Sequence, residues 1–281
     1  MRWRLASERV FAQHPGSAQP LPTTTPMTPP EREPPGTGCI AITGASRGIG
    51  AAVALELAQR GFSVACLTRA GQGIEEGDVP PELTPRLRAI RCDVTDEAAL
   101  KQALAEAAQG SGGLRGLINN AGFHSHGASA ELPTAELRRV LETNVTALFV
   151  ACREAYPHLK ARGGGLIVNM GSFFDHLGIT RNLAYTASKA AVAGITRCLA
   201  VEWAAEGIRV LNVAPGYIET NLNRDFLRRP SVQDYLLPRI PVGRTGTPEE
   251  VARLIAVLYA EDLTFLTGET IYIDGAQGIA H

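Results

Sequence analysis

The sequence predicts an α/β fold, a doubly wound parallel sheet of seven strands in a single domain. Three observations predict it. From Cys39 onward, short apolar runs rich in β-branched residues alternate with longer segments whose apolar residues recur at helical spacing. The first run passes straight into a glycine-rich turn, TGASRGIG (residues 43–50), and then into a helical segment. No internal repeat or composition break divides the chain from that turn to its end, so one sheet takes all the strands.

In chain order, CIAIT (39–43) is a buried strand, and AAVALELAQR (51–60) a helix. FSVACLT (62–68) and LRAIRC (87–92) read as the next two strands, and DEAALKQALAEAAQ (96–109) as an amphipathic helix. RGLIN (115–119) is a short buried strand, followed by one long helical stretch from Thr134 to Lys160. GLIVNM (165–170) is a strand, Leu183 to Ala205 a helix, and IRVLNVA (208–214) a strand. Residues 215–247 are polar, proline-containing and irregular, with one or two short helices expected. PEEVARLIAVLYA (248–260) opens a helix with proline at its first position, and TIYID (270–274) closes the sheet.

The first 38 residues differ in kind. They are proline-rich and carry no sustained apolar period, so they predict a disordered extension before a domain at 39–281. The opening MRWRLASERVFAQ lacks the continuous apolar core of a secretion signal; a mitochondrial-type presequence is the other targeting reading, and a start at Met27 is the expectation. A net charge of −1 gives no electrostatic reason to expect nucleic acid or an acidic membrane as partner. No run reaches the ~18 apolar residues of a membrane span. Five cysteines stand singly, with no C-x-x-C pair, which predicts reduced thiols and a cytoplasmic protein.

Glycine costs roughly 0.5–1 kcal/mol against alanine inside an element, so Gly44, Gly48 and Gly50 ask for a compensating reason. A strand-to-helix turn supplies one, because a helix N-terminus offers backbone N–H groups to an anion, a dinucleotide pyrophosphate foremost. The spacing is G-x-x-x-G-x-G, not the commoner G-x-G-x-x-G. The second strand ends in Thr68 and Arg69, with no carboxylate to accept from the ribose of NAD. Arg69 and Arg47 instead suit the extra phosphate of NADP(H). Two charge-assisted hydrogen bonds at about 1.5–3 kcal/mol each would favour it by at least about tenfold. The other reading makes both arginines solvated surface charges. Asp93, after the third strand, could accept from the adenine amino group, and NNAG (119–122) lets the backbone approach closely after the fourth.

AYTASKAA (184–191) sets Tyr185 and Lys189 four residues apart, on one helix face. A phenol titrating near 10 is a poor base at neutrality, and an adjacent ammonium lowers it. Tyr185 can then donate a proton to a carbonyl oxygen or accept one from an alcohol. Ser172, in NMGS, can hydrogen-bond the same oxygen.

Taken together and in order, TGASRGIG, CDVTD, NNAG, Asn144 in LETNVTA, Ser172, YTASK and APGYIET (214–220) resemble the short-chain dehydrogenase/reductase family. The resemblance runs from residue 39 to about 276 and implies a Rossmann-type fold. It implies a catalytic tetrad of Asn144, Ser172, Tyr185 and Lys189, with Asn144 positioning water in a proton relay. Lys189 would also hold the nicotinamide ribose. The implied cofactor site comprises Gly44, Ser46, Arg47, Gly48, Ile49, Gly50, Arg69, Asp93, Val94, Asn120, Ala121 and Gly122. Tyr185, Lys189, Pro215, Gly216, Ile218 and Thr220 complete it, and Asn119 with 215–220 would line the nicotinamide half. Family members are commonly homotetramers, dimers of dimers, packed through the long fourth and fifth helices and the C-terminal strand.

The segment after PGYIET, within a substrate loop at about 215–247, chooses the small-molecule carbonyl or alcohol substrate in such proteins. Here it is similar to gluconate 5-dehydrogenases and to 3-oxoacyl-carrier-protein reductases. Phe123, His124, His126 and Phe173 to His176 are expected to rim the pocket. A single H-x-H without nearby carboxylates makes no metal site, and none is expected. Substrate contact and solvent exposure are the roles open to these histidines. An NADP(H)-binding sensor without turnover is the alternative to an enzyme, and the intact tetrad speaks against it. A halohydrin-type lyase of this fold would replace the lysine and lose the glycine turn.

Overall fold

The computed structural model describes residues 37–75, 79–110, 112–261 and 263–280. Residues 1–36 of the expected N-terminal extension lie outside the described residues.

Seven strands form one sheet: β1 (Cys39–Thr43), β2 (Ser63–Thr68), β3 (Leu87–Arg91), β4 (Leu114–Asn119), β5 (Gly165–Met170), β6 (Ile208–Pro215) and β7 (Thr270–Ile273). All pairings are parallel, in the order β3-β2-β1-β4-β5-β6-β7. Both faces of a parallel sheet are covered, which is why inner strands such as β1 and β5 read as apolar runs. Along β1 the side chains alternate between two cores. Ile40 and Ile42 join Ile118, Leu166 and Val168 on one face, and Ala41 joins Leu117 and Ile167 on the other. Helices α1 (Gly48–Gln59) and, near the C-terminus, Pro248–Ala260 seal the first face through Val53, Leu57, Val251 and Ile255. Helix α2 (Glu97–Ala107), Ala147–Arg162 and Leu183–Trp203 seal the second through Leu100, Leu104, Ala151, Ala155 and Val192.

The single helix expected over Thr134–Lys160 is three pieces. α3 (Thr134–Leu141) passes through a π-helical turn, Glu142–Thr146, into α4 (Ala147–Arg162). The interruption has a polar cause, because buried Asn144 sits within it and bonds outside the helix. α5 is Leu183–Trp203, followed by a 3₁₀ turn. The irregular stretch contains α6 (Arg224–Leu227) and α7 (Pro230–Leu236), the short helices expected there, before α8 (Pro248–Ala260). α1 begins earlier than the periodicity implied and takes in Gly48 and Gly50.

The topology decides where a ligand can sit. β1 has β2 on one side and β4 on the other, so the winding reverses there and a crevice opens at the carboxyl ends of the strands.

Candidate active site

The glycine turn lies at this switch point, and its neighbours shape it. Gly44 has φ +66°, and a Cβ there would approach Ala121 Cα to 3.0 Å. A Cβ on Gly50 would collide with Gly44 O and reach within 2.5 Å of Asn120 Nδ2. The turn therefore packs backbone against backbone, where any larger residue would push it apart. Thr43 and Asn120 hold it. Thr43 Oγ1 accepts from Asn120 N (3.1 Å) and Ala121 N (3.0 Å), while Asn120 Nδ2 donates to Thr43 O and Gly44 O (3.2 and 2.9 Å).

Arg47, at the N-cap of α1, is extended, makes no side-chain cap, and no acidic residue stands in the first turn. The N-terminus of a helix favours negative charge. Glu75 N donates to Ser46 O at 2.8 Å, which binds the loop leaving β2 to the glycine turn. Arg47 and Arg69 are both exposed. Asp93 Oδ1 accepts from Thr95 N and Oγ1 (3.0 and 2.8 Å), bonds that hold its carboxyl below the usual range, with a further pull from Arg69. Val94 and Ile49 pack onto the two cores beneath. On the far side, Pro215 ends β6, Gly216 N donates to Ile273 O, and Ile218 is buried. Thr220 N and Oγ1 both donate to Asn223 Oδ1 (2.7 and 3.2 Å). A narrow backbone floor, a helix N-terminus and two exposed arginines fit a phosphate-bearing dinucleotide.

The four expected catalytic side chains gather at the ends of β4 and β5. A Cβ on Gly122 would lie 3.0 Å from Asn144 Oδ1 and 4.0 Å from Lys189 Nζ. Lys189 is buried, donates to Met170 O at 2.7 Å, and holds Nζ 5.5 Å from the Tyr185 ring centroid. Burial pulls its ammonium down to about 8. Ser172 caps the 3₁₀ turn Phe173–His176, its Oγ accepting from Phe174 N at 3.3 Å, and hydrogen-bonds the Tyr185 phenol. The expected lowering of that phenol is reversed here. Burial pushes it up, and the Ser172 bond only partly opposes this. The lysine that should lower it is itself desolvated and turned onto a carbonyl.

Asn144 has a role that its place in the sequence did not reveal. Oδ1 accepts from Phe123 N, and Nδ2 donates to Phe123 O and Ser188 Oγ, at 3.0, 3.0 and 3.1 Å. Both its donors are spent on fastening the NNAG loop to α5. Asn119 is a correction. It does not face the nicotinamide half. Its Nδ2 turns below the cleft to Asn169 Oδ1 (2.9 Å) and Cys152 Sγ (3.2 Å), and Asn169 continues to Thr196 Oγ1 (2.9 Å). This buried polar chain ties β4, β5 and α5 together behind the site.

The expected pocket rim divides. His124 and Phe174 stand edge-on to Tyr185, with centroids at 4.9 and 5.9 Å. Phe173 packs on Phe174, and Tyr217 on both, completing an aromatic wall. Phe123 instead lies beneath Arg139, 4.4 Å from its guanidinium. His126 reaches only the His124 ring, at 6.4 Å. Asp175 and His176 face β7, where Asp175 Oδ1 accepts from Tyr272 OH at 3.0 Å and contacts His176 Nδ1 at 2.8 Å. Sequence reasoning missed Thr43, Asn169 and Asn182, and gave Tyr217 only a place within the 215–220 lining, not in an aromatic wall. Among the described residues no cluster of three metal-ligating side chains occurs, and no helix is long and apolar enough to cross a membrane.

Comparison with known proteins agrees with this architecture. The family model described as Enoyl-(Acyl carrier protein) reductase matches residues 44–276. The chain is 35% identical over 240 residues to a 2-(R)-hydroxypropyl-CoM dehydrogenase of Xanthobacter autotrophicus, covering 84% of this chain and 96% of that one. It is 33% identical over 242 residues to the 3-oxoacyl-[acyl-carrier-protein] reductase MabA of Mycobacterium bovis, covering 86% and 93%. A short-chain dehydrogenase/reductase from Serratia marcescens superposes with a TM-score of 0.80 at 34% identity, over 88% of this chain and 100% of that one. With the glycine turn, the parallel sheet and the Ser172, Tyr185 and Lys189 cluster in place, the chain belongs to the short-chain dehydrogenase/reductase family of oxidoreductases.

Proposed function

We propose that the chain is an NADP(H)-dependent reductase that interconverts a ketone and a secondary alcohol, with Tyr185 as the proton donor and acceptor. The observation that carries this reading is the convergence of the Tyr185 phenol, the Ser172 hydroxyl and the buried Lys189 ammonium at one strand end.

The dinucleotide would be held by Gly44, Ser46, Gly48, Ile49 and Gly50 at its pyrophosphate, and by Arg47 and Arg69 at the additional phosphate. Asp93 and Val94 would meet the adenine, and Asn120, Ala121, Gly122, Pro215, Gly216, Ile218 and Thr220 the remainder. Bound there, the nicotinamide supplies or accepts a hydride. Tyr185 gives its phenolic proton to the carbonyl oxygen, and the carbonyl becomes an alcohol. Burial keeps this phenol protonated at neutral pH, which suits the reductive direction. The Phe174 N–H occupies a lone pair of Ser172 Oγ, leaving the hydroxyl proton to hold the same oxygen. Lys189 spends one donor on Met170 O and keeps others for the nicotinamide ribose. Asn144 fixes the loop that brings Gly122 to Lys189, and a water of the relay would sit beside it.

The relatives named for a 2-hydroxypropyl and a 3-oxoacyl group support an alcohol or ketone as substrate. A homotetramer, a dimer of dimers, suits the large apolar side chains exposed on α4, α5, α8 and β7, among them Phe149, Val201, Val257 and Tyr272. A reducing, cytoplasmic setting suits the cysteines, since burial pushes Cys39 and Cys92 up to about 11 and Cys66 and Cys152 up to about 12. The test is NADPH consumption across β-ketoacyl thioesters, 5-keto-gluconate and simple diketones. Turnover of at least one ketone with NADPH is expected. Tight NADPH binding with no turnover on any would favour a sensor.

A further inference from the structure

We propose that His124 is a substrate-recognition residue that presents Nδ1 as a hydrogen-bond acceptor beside Tyr185, selecting ketones that carry a hydroxyl next to the reacting carbonyl. The inference rests on the reading of Tyr185 as the proton donor.

Asn182 occupies the N-cap of α5. An N-cap asparagine ordinarily turns its oxygen onto the N–H of the second or third helical residue. Asn182 makes no such bond. Its Nδ2 donates to Thr180 O at 2.8 Å, and its Oδ1 meets His124 Nε2. The Thr180 bond fixes the amide, because the reversed orientation would set two acceptors against each other. An amide oxygen can only accept, so this contact selects the tautomer with its proton on Nε2. Nδ1 then holds the lone pair, and no partner for it occurs among the described residues.

The chain gives up local stability to build this. Arg181, just before Asn182, has φ +65°, a left-handed backbone that residues other than glycine adopt at a cost. Its carbonyl accepts from Gly127 N at 2.9 Å, fastening the His124 loop to the start of the catalytic helix. A histidine that merely met solvent would need neither the strained residue nor the diverted cap.

The surroundings say what Nδ1 would meet. Tyr185 stands between the edge of His124 (4.9 Å, 69°) and Phe174 (5.9 Å, 85°), with Tyr217 behind Phe174. A carbonyl presented to Tyr185 thus has an apolar wall on one flank and the His124 ring, which carries the Nδ1 acceptor, on the other. A hydroxyl donates to that acceptor, whereas a carboxylate is repelled by it. Hydroxyketones of the sugar type fit; 2-oxo acids do not.

The experiment measures NADPH-linked kcat/KM for 3-hydroxy-2-butanone, 2-butanone and pyruvate, with wild type, His124→Phe and Asn182→Asp. The phenylalanine keeps an aromatic ring against Tyr185 and removes the acceptor. It should lower the ratio of hydroxyketone to plain ketone by about tenfold or more. The Asn182→Asp carboxylate favours the doubly protonated ring, turning Nδ1 into a donor, so pyruvate should gain on the hydroxyketone. Equal losses on both ketones would make His124 a packing residue and overturn the proposal, as would unchanged ratios in both variants. A wild type that consumes NADPH with none of the ketones in this set or in the wider panel would sink the reductase reading first, and this inference with it.

Discussion

Replacing Lys189 by methionine should make the cofactor-free chain more stable while abolishing its turnover. Lys189 is buried, and desolvation draws its ammonium from 10.5 to about 8. Each tenfold is worth about 1.4 kcal/mol, so keeping the charge at pH 7 costs the folded chain about 3 kcal/mol. Proton counting gives the sign. The folded-state value lies below the unfolded one, so between about 8 and 10.5 the unfolded chain binds more protons and stability rises with pH. Below about 8 the penalty is present in full. Methionine removes the charge and keeps most of the volume, but it loses the bond to Met170 O, about 1 kcal/mol. The net gain at pH 7 is about 2 kcal/mol, or roughly 4–8 °C in Tm for a domain of this size. By pH 9 the wild type has shed about 1 kcal/mol of its penalty, so the gap should narrow by about half. Thermal or urea unfolding at pH 7 and pH 9, without cofactor, reads both values. A methionine variant no more stable than wild type at pH 7, or a gap that does not narrow by pH 9, would refute the reasoning. The gain in stability at the expense of turnover is the exchange expected of a functional buried charge.

The other predictions concern the cofactor cradle and one helix end. Arg69→Asp should reverse or abolish a preference for NADPH over NADH, read as the ratio of kcat/KM; equal wild-type values for the two cofactors would mean that the arginines do not select the phosphate. Thr43→Val leaves Asn120 N and Ala121 N without their acceptor. It should cost about 1–3 kcal/mol and weaken NADPH binding measured by fluorescence titration. An unchanged Kd would mean that the glycine turn holds its shape without this hydroxyl. Thr247→Ala removes the hydroxyl that accepts from Glu250 N at 3.4 Å, one half of the reciprocal cap, and should lower stability by about 0.5–2 kcal/mol. No change in the unfolding midpoint would show that α8 does not depend on that cap.

Much of this was legible in the sequence because the informative signals were local. Strands buried on both faces announce themselves as apolar runs, and GLIVNM and PEEVARLIAVLYA match β5 and α8 residue for residue. The Tyr185–Lys189 pair needed only helical geometry. What stayed hidden depended on contacts between distant segments. The pairing of Asn119 with Asn169 is set by the register of β4 on β5, which no local pattern reveals. The π-helical turn at Asn144 exists because its amide reaches Phe123 and Ser188. In the sequence, Asn182 is one polar residue before a helix; its diversion from capping shows only once His124 is beside it. The lowered phenol failed as an expectation for a related reason. Spacing places the lysine near the tyrosine, but it carries no information about burial, which decides the direction.

The central claim is that Tyr185 passes the proton, and the most direct measurement is single-turnover NADPH oxidation by wild type and Tyr185→Phe with a ketone that the wild type reduces. Phenylalanine keeps the ring packed between His124 and Phe174 and removes the hydroxyl assigned to protonate the carbonyl oxygen. The rate should fall by about 10²–10⁴, with NADPH affinity little changed, since the glycine turn, the two arginines and Lys189 remain. For alcohol oxidation, the rise in rate with pH that belongs to the phenol should vanish in the variant. A Tyr185→Phe enzyme that retained near wild-type rates, with the same pH profile, would contradict the account.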